Sequence, residues 1–338
     1  MRFRLADPDG RYAAVRLCCD LPLSDPERSF ARARAEWVLE IDPPPIDRLE
    51  YELELVLADR TTETVLDPGN PHTADGAFGK KSVALAPGYE PPAWLSADAV
   101  EGRFEEIAPR GRGLGANVAA RIWSPADATP EHPLPLLVAH DGPEYDELAG
   151  LTRYAAAMIA AGALPPHRIA LLAPGDRDEW YSASALYSRA LYVDVVPALR
   201  AAVAVSGDAV GMGASLGALA MLVTQRRAPR TFGALFLQSG SFFMPRFDAH
   251  ESGLERYARI VRTVRRILRS PASGDPVPVT LTCGVAEENL ANNRLMARAL
   301  AEQGYDAELH VNPDMHNYTG WRDALDPHLT RLLGRMWA

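Results

Sequence analysis

Residues 213–217 read Gly-Ala-Ser-Leu-Gly, a serine with a glycine two positions away on either side. A turn sharp enough to pass from strand to helix and lift the serine out of the sheet leaves no room for a Cβ at those flanking positions. The spacing therefore suits a nucleophile elbow carrying Ser215. The plain alternative is a glycine-lined helix N-cap. A hydroxyl is a weak nucleophile, so it needs a base within hydrogen-bond reach and a third group to fix the tautomer of that base. Downstream of the serine, Glu287 and Glu288 follow the apolar run VPVTLTCG (277–284), and His316 follows AELHV (307–311). Serine, acid, histidine is one of the chain orders in which such triads occur. Of the eight histidines, His310 falls inside a strand pattern, His328 lies near the terminus, and His72, His132, His167 and His250 sit in loops without a strand edge before them. His140 does follow a strand and precedes Asp141 and Gly142, but it comes before the serine, which assigns it to a pocket wall. Both glutamates also read as solvated residues at the start of the helical segment NLANNRLMARAL.

These groups need a scaffold. PLLVAH (135–140), RIALLAP (168–174), AVGMGAS (209–215), GALFLQSG (233–240), VPVTLTCG and AELHV are short, apolar and bounded by glycine or proline, as parallel strands buried on both faces are. Segments of helical length and period lie between them, SALYSRALYVDVVPALRAAV and NNRLMARALAEQG among them. A right-handed βαβ succession follows, giving a doubly wound, mostly parallel α/β sheet. The first ninety residues differ. RLEYELEL sets Leu49, Tyr51, Leu53 and Leu55 on one face and Glu50, Glu52 and Glu54 on the other; EWVLEID around Trp37 repeats the alternation. Turns at PPP (43–45) and DPGNP (67–71) complete the pattern of a small β-sandwich. The proline-rich stretch APGYEPPAW (86–94) separates the two, predicting a β-sandwich over residues 1–95 and a catalytic domain over 96–338. Every chemical group named so far lies in the second part.

Composition narrows the partners. With 338 residues, 47% apolar and 23% charged, two globular domains are expected. A net charge of −9 argues against nucleic acid as a partner. No run approaches the 18 or so apolar residues of a membrane span, and Asp7 and Pro8 interrupt the start of the chain where a signal peptide would be apolar. Cys18, Cys19 and Cys283 have neither disulfide-framework nor metal-ligand spacing, which points to reduced thiols in a cytoplasmic protein, and a serine, histidine and acid relay would need no metal or other cofactor.

Taken together, the residues resemble the esterase family of α/β hydrolases that includes the enterochelin (enterobactin) esterases, with feruloyl esterases as more distant relatives. HDGPEY (140–145) resembles the family's DG loop, DRDEWYSASALY (176–187) its Arg-x-x-Glu-aromatic segment, GASLG the elbow, and CGVAEEN with DMHNYTGWRD the acid and histidine loops. The leading domain resembles the N-terminal domain of enterochelin esterases. The resemblance implies an α/β-hydrolase fold preceded by the sandwich, Ser215 as nucleophile, His316 as base and Glu287 as acid, with Glu288 as the fallback. It implies an oxyanion hole from the backbone of Leu216 and the DG loop. Pro143 follows that DG and has no N–H, so the second donor falls to Gly142, or to Glu144 if the loop is re-formed. His140, Asp141, Arg177, Trp180 and Phe242 are the expected substrate-binding residues, with core packing the equal alternative for Trp180 and Phe242. Arg259, Arg262, Arg266 and Arg269 fall on one face of a helix that either attracts an anionic acyl group or is simply solvated. The implied activity is hydrolysis of a small-molecule ester, most concretely a siderophore trilactone, free or ferric. Acyl transfer or cleavage of carbohydrate-linked feruloyl esters is the alternative, and a non-catalytic binding protein on a hydrolase scaffold a third.

Overall fold

The computed structural model describes residues 1–271 and 275–338. The chain forms two units. The first holds Met1–Glu90 together with Pro313–Asn317, and the second Pro91–Asn312 and Tyr318–Ala338. The division thus falls five residues before the expected boundary, and a five-residue segment containing His316 groups with the first unit although the sequence reading placed it in the second.

In the first unit, β1 (Arg2–Ala6), β3 (Ala31–Ala33) and β4 (Glu36–Glu40) form an antiparallel sheet in the order β1-β4-β3. A second sheet runs β2-β5-β8-β7, from β2 (Tyr12–Cys18), β5 (Arg48–Leu57), β7 (Thr73–Gly76) and β8 (Gly79–Leu85), with β6 (Thr62–Val65) also paired to β5. A short helix, α1 (Asp25–Arg28), joins β2 to β3. Alternation decides the interior: Phe3 and Leu5 of β1, Trp37 and Leu39 of β4, and Leu49, Tyr51, Leu53 and Leu55 of β5 are all buried. The Phe3 and Tyr51 rings meet edge to face at 4.9 Å, one sheet against the other. The DPGNP turn is pinned from inside, since the Tyr51 hydroxyl donates to Asp67 Oδ2 at 2.6 Å and Asn70 Nδ2 to the Val83 carbonyl at 2.8 Å. Glu50 departs from the expected pattern. Alternation puts it on the solvent face, yet it is buried, because the Arg48 guanidinium lies 3.6 Å away.

In the second unit an eight-stranded sheet has the order β18-β17-β16-β15-β13-β14-β12-β9. Its members are β9 (Gly102–Ile107), β12 (Ala120–Pro125), β13 (Leu136–Ala139), β14 (Arg168–Leu172), β15 (Val210–Ala214), β16 (Ala234–Gln238), β17 (Pro278–Gly284) and β18 (Asp306–Asn312); β10 (Arg110–Gly111) and β11 (Ala116–Asn117) make a small separate ladder. Strands β13 to β18 are parallel; β12 and β9 run antiparallel at one edge. Every residue of β13, β14, β15 and β16 is buried, as expected for strands covered on both faces. The helices are α2 (Gly142–Ala149), α3 (Leu151–Ala160), α4 (Arg177–Tyr181), α5 (Ala185–Ala190), α6 (Val196–Ala202), α7 (Leu216–Arg227), α8 (Tyr257–Arg269), α9 (Leu290–Glu302), α10 (Tyr318–Asp323) and α11 (Thr330–Trp337). The segment read as one long helix is broken by a π turn at Leu191–Val195 between α5 and α6. Pro197 supplies the reason, since it has no N–H for the carbonyl one turn back. No helix among the described residues is long and apolar enough to cross a membrane.

From β13 the chain moves outward to β14 and then returns to the other side of β13 for β15. Strand order therefore reverses between β13 and β15. The carboxyl ends at such a switch point diverge and leave a crevice, which is where open α/β sheets place their sites.

Candidate active site

Ser215 sits at that crevice, between the last residue of β15 and the first of α7. Its φ of 54° and ψ of −123° lie outside the regions open to side-chain-bearing residues, a strain that the surrounding packing has to hold. The flanking glycines make it possible. A Cβ on Gly213 would lie 2.6 Å from the Gly217 carbonyl carbon, and one on Gly217 would lie 3.2 Å from His140 Cβ. The Ser215 N–H donates to the Gln238 carbonyl at 2.9 Å, and its Oγ lies 3.0 Å from Ser241 Oγ. Ser241, whose own N–H donates to the Ser215 carbonyl at 3.1 Å, was not singled out from the sequence. Its signal was the run of small residues closing GALFLQSGS just beyond β16.

Two helices begin at the crevice, α2 three residues past β13 and α7 two residues past β15. Gly142 and Leu216 are their first residues, so neither N–H has an acceptor within its own helix. Gly142 has to be glycine, because a Cβ there would lie 2.3 Å from Leu171 Cα. Asp141, in the left-handed region at φ 49°, turns the chain into α2, with Pro143 in its first turn. The Asp141 carboxylate is buried and takes both arms of Arg177, Nε and Nη2, at 2.8 Å each. That bidentate pair ties the DG loop to α4. The Arg177 side chain is 36% exposed, which leaves it accessible to a ligand.

His140 faces inward. Its Nδ1 lies 3.0 Å from the Gly217 carbonyl, which can only accept, so Nδ1 carries the proton and Nε2 accepts from the Tyr187 hydroxyl at 2.8 Å. Both ring nitrogens are thereby engaged and the side chain is fully buried. The pocket-wall role read from chain order gives way to that of a brace between the DG loop and the elbow helix. Burial holds the imidazole neutral, its pKa pushed down to about 4; His167, also fully buried, behaves alike. An unfolded histidine gains its proton below about 6.5, whereas these stay neutral until about 4, so native stability falls as pH drops through that window. At pH 5 the loss should reach about 2 kcal/mol for each residue relative to neutral pH. His328 is lowered to about 4 as well, so urea midpoints measured at pH 7.5 and 5.0 should differ, with about a third of the drop disappearing in His167→Gln; equal midpoints in the parent chain would contradict it.

The two glutamates separate cleanly. Glu287 is buried, and its Oε1 accepts from the Gly284 N–H at 2.6 Å and from Ser239 Oγ at 2.7 Å. Trp321 Nε1 in turn donates to Ser239 Oγ at 2.9 Å, so a tryptophan, a serine and a backbone amide fix the orientation of this carboxylate. Glu288 is exposed and lies 2.8 Å from His250 Nε2. The Cys283 thiol next to the same loop is pushed well up, first by burial and then by the Glu287 charge, which keeps it protonated.

Trp180 stacks on Tyr187 at 5.3 Å, and Phe242 is 1% exposed; both belong to the hydrophobic core cluster and do not stand as open walls. Arg259 is likewise committed, donating to the Ser182 and Glu179 carbonyls and to the Glu179 carboxylate, while Arg256 shares that carboxylate. Only Arg262, Arg266 and Arg269 of the expected basic face are exposed, opposite buried Ile260, Val264 and Ile267. His316 lies in the Pro313–Asn317 segment, which leaves the carboxyl end of β18 and leads into α10.

Comparison with known proteins bears on the family and the fold. The Esterase family model, described as "Putative esterase", covers residues 111–332. The chain is 26% identical over 246 residues to an iron(III) enterobactin esterase from Escherichia coli O6:H1, an alignment covering 70% of this chain and 59% of that protein. It thus spans less than two thirds of the length of that curated relative. Among solved structures, enterochelin esterase from Shigella flexneri is similar over 100% of this chain and 93% of its own, with a TM-score of 0.77 at 19% identity. A ferulic acid esterase is similar over 70% of this chain and 99% of its own, with a TM-score of 0.58 at 17% identity. These two likenesses are of fold, and they agree with an α/β-hydrolase domain preceded by a small sandwich. With the family model spanning most of the second unit, including the elbow, the switch point and the Glu287 loop, the chain belongs to the Esterase family of α/β hydrolases.

Proposed function

We propose that this chain hydrolyses esters through an acyl-enzyme on Ser215 and that its substrates are bulky siderophore or macrolactone esters of the enterobactin type. The observation that carries the mechanism is the strained serine at the switch point, with the first N–H groups of two helices beside it. In the first half-reaction His316 takes the proton of Ser215 Oγ as that oxygen adds to the ester carbonyl. The negative charge passes to the carbonyl oxygen, where the Leu216 and Gly142 N–H groups meet it. Collapse breaks the ester C–O bond, and His316 returns the proton to the departing alcohol. In the second half-reaction water gives a proton to His316 and adds to the acyl carbon, and the acid leaves with Ser215 Oγ protonated again. Glu287 holds the imidazole in the required tautomer and offsets its positive charge.

The Asp141–Arg177 pair keeps the DG loop in place, and the exposed part of Arg177 offers a cation to a substrate oxygen. Iron, where present, belongs to the substrate. The trilactone reading rests on the E. coli relative, whose name specifies that substrate, and on the solved enterochelin esterase that is similar over the full length of this chain. Purified protein should be offered a nitrophenyl butyrate, ethyl ferulate, and a tris-catecholate trilactone with and without Fe(III), with products identified by mass. We expect the trilactone to give the highest kcat/KM by at least tenfold and to be cut to its linear trimer. Equal or better turnover of ethyl ferulate would transfer the assignment to feruloyl esters.

A further inference from the structure

The segment carrying His316 is gripped at both ends by one side chain. Arg48, the first residue of β5, is 2% exposed, and its Nη2 donates to Asp314 Oδ2 at 2.6 Å and to Asn317 Oδ1 at 3.2 Å. Asp314 and Asn317 bracket Met315 and His316 in the sequence. They are also linked to each other: Asp314 Oδ1 accepts from the Met315 N–H at 2.8 Å and from Asn317 Nδ2 at 3.1 Å, and the Asn317 N–H donates to the Met315 carbonyl at 3.0 Å. Next to Arg48, the Asp47 N–H donates to the Pro313 carbonyl at 2.7 Å. The five residues form a tight knot in which the Asp314 and Asn317 side chains converge on one guanidinium.

We propose that Arg48 is a positioning residue for the general base: by holding Asp314 and Asn317 it sets the place of the His316 ring. The inference rests on His316 being the base. The two N–H bonds of Nη2 are fixed in the guanidinium plane and serve both partners at once, which a lysine's freely rotating ammonium does with less geometric control. Positioning is worth much in such reactions, since a displacement of about 1 Å at a reacting group can cost about a hundredfold. A merely structural ion pair would instead change the amount of folded protein and leave turnover per folded site alone.

The test uses the full chain carrying Arg48→Met, Arg48→Lys, Asn317→Ala, Arg48→Met with Asp314→Asn, and His316→Ala. Folded sites are counted by end-point fluorophosphonate labelling, and cooperative melts check each variant. We expect Arg48→Met to lower kcat per labelled site by about 10²-fold with KM within about threefold of the parent. Arg48→Lys should recover at least tenfold of that loss, because the Asp314 pair re-forms. The double variant should turn over faster than Arg48→Met alone, since it leaves one unpaired buried carboxylate, Glu50, where Arg48→Met leaves two, and the neutral amide at 314 lies in the His316 segment itself. Asn317→Ala keeps the ion pair and should lose less, about tenfold, which keeps the question open to measurement even if Arg48→Met fails to fold. Parent-like kcat per site in Arg48→Met, or in both Arg48→Lys and Asn317→Ala if Arg48→Met does not fold, overturns the inference while an inactive His316→Ala leaves the reading of the base intact. An active His316→Ala overturns both.

Discussion

Replacing Ser215 with alanine should lower ester cleavage by about 10⁴- to 10⁶-fold and leave the fold intact. The residue occupies a backbone conformation that strains serine and alanine alike, so the substitution removes a hydroxyl without changing the cost of the turn. The residual rate would come from substrate binding and from the N–H groups of Leu216 and Gly142, which survive the change. Ser241 makes the experiment discriminating, because its Oγ lies 3.0 Å from that of Ser215 and is the obvious rival nucleophile. Fluorophosphonate labelling followed by intact mass should give one adduct in the parent chain and none in Ser215→Ala, and peptide mapping should place it on residue 215. Ser241→Ala should still label at residue 215, with a rate reduced severalfold through loss of one contact to the nucleophile. An adduct mapped to Ser241 would move the nucleophile, and with it the interpretation of the elbow.

How much of this was legible in the sequence depends on the range of the interaction involved. The elbow is local: two glycines and a serine within five residues specify both the turn and the group that it presents, and the structure places Ser215 between β15 and α7 as that pattern requires. The buried parallel strands are nearly local, since each announces itself as an apolar run between turn residues. What the sequence hid were long-range pairings. Arg48 and Asp314 are 266 residues apart, and nothing in RLEYELEL distinguishes an arginine that ends buried from one that ends in solvent. The same ion pair explains why Glu50 is buried against its alternation and why Pro313–Asn317 groups with the first unit. His140 shows a different limit. Its position after a strand is visible, but whether a ring faces a cavity or a neighbouring helix depends on Tyr187 and Gly217, one beyond the next strand and the other inside the elbow. For Trp180 and Phe242 the sequence leaves wall and core equally open, since aromatic side chains near a crevice satisfy the core as readily as a ligand, and both are buried.

The second large effect separates the members of the relay after the nucleophile. His316→Ala should cost about 10³- to 10⁵-fold in kcat/KM, because without a base Ser215 must lose its proton to water. Glu287→Gln should cost less, about 10- to 10³-fold. The amide oxygen can still accept from the Gly284 N–H and Ser239 Oγ, so the loop keeps its shape while the charge that steadies the imidazolium is lost. Glu288→Gln should stay within about twofold of the parent, because that exposed side chain pairs with His250 and exposed pairs contribute little. Disturbing the donors should resemble disturbing the acid: Ser239→Ala leaves Trp321 Nε1 and Glu287 Oε1 without their shared partner and should slow turnover about tenfold, with KM little changed. Steady-state kinetics on the four variants, each with a parent-like melt, decide the matter. A crippled Glu288→Gln beside an active Glu287→Gln would place the acid one residue further along the loop, and the Gly284, Ser239 and Trp321 network would then serve the stability of β16 and β17 alone.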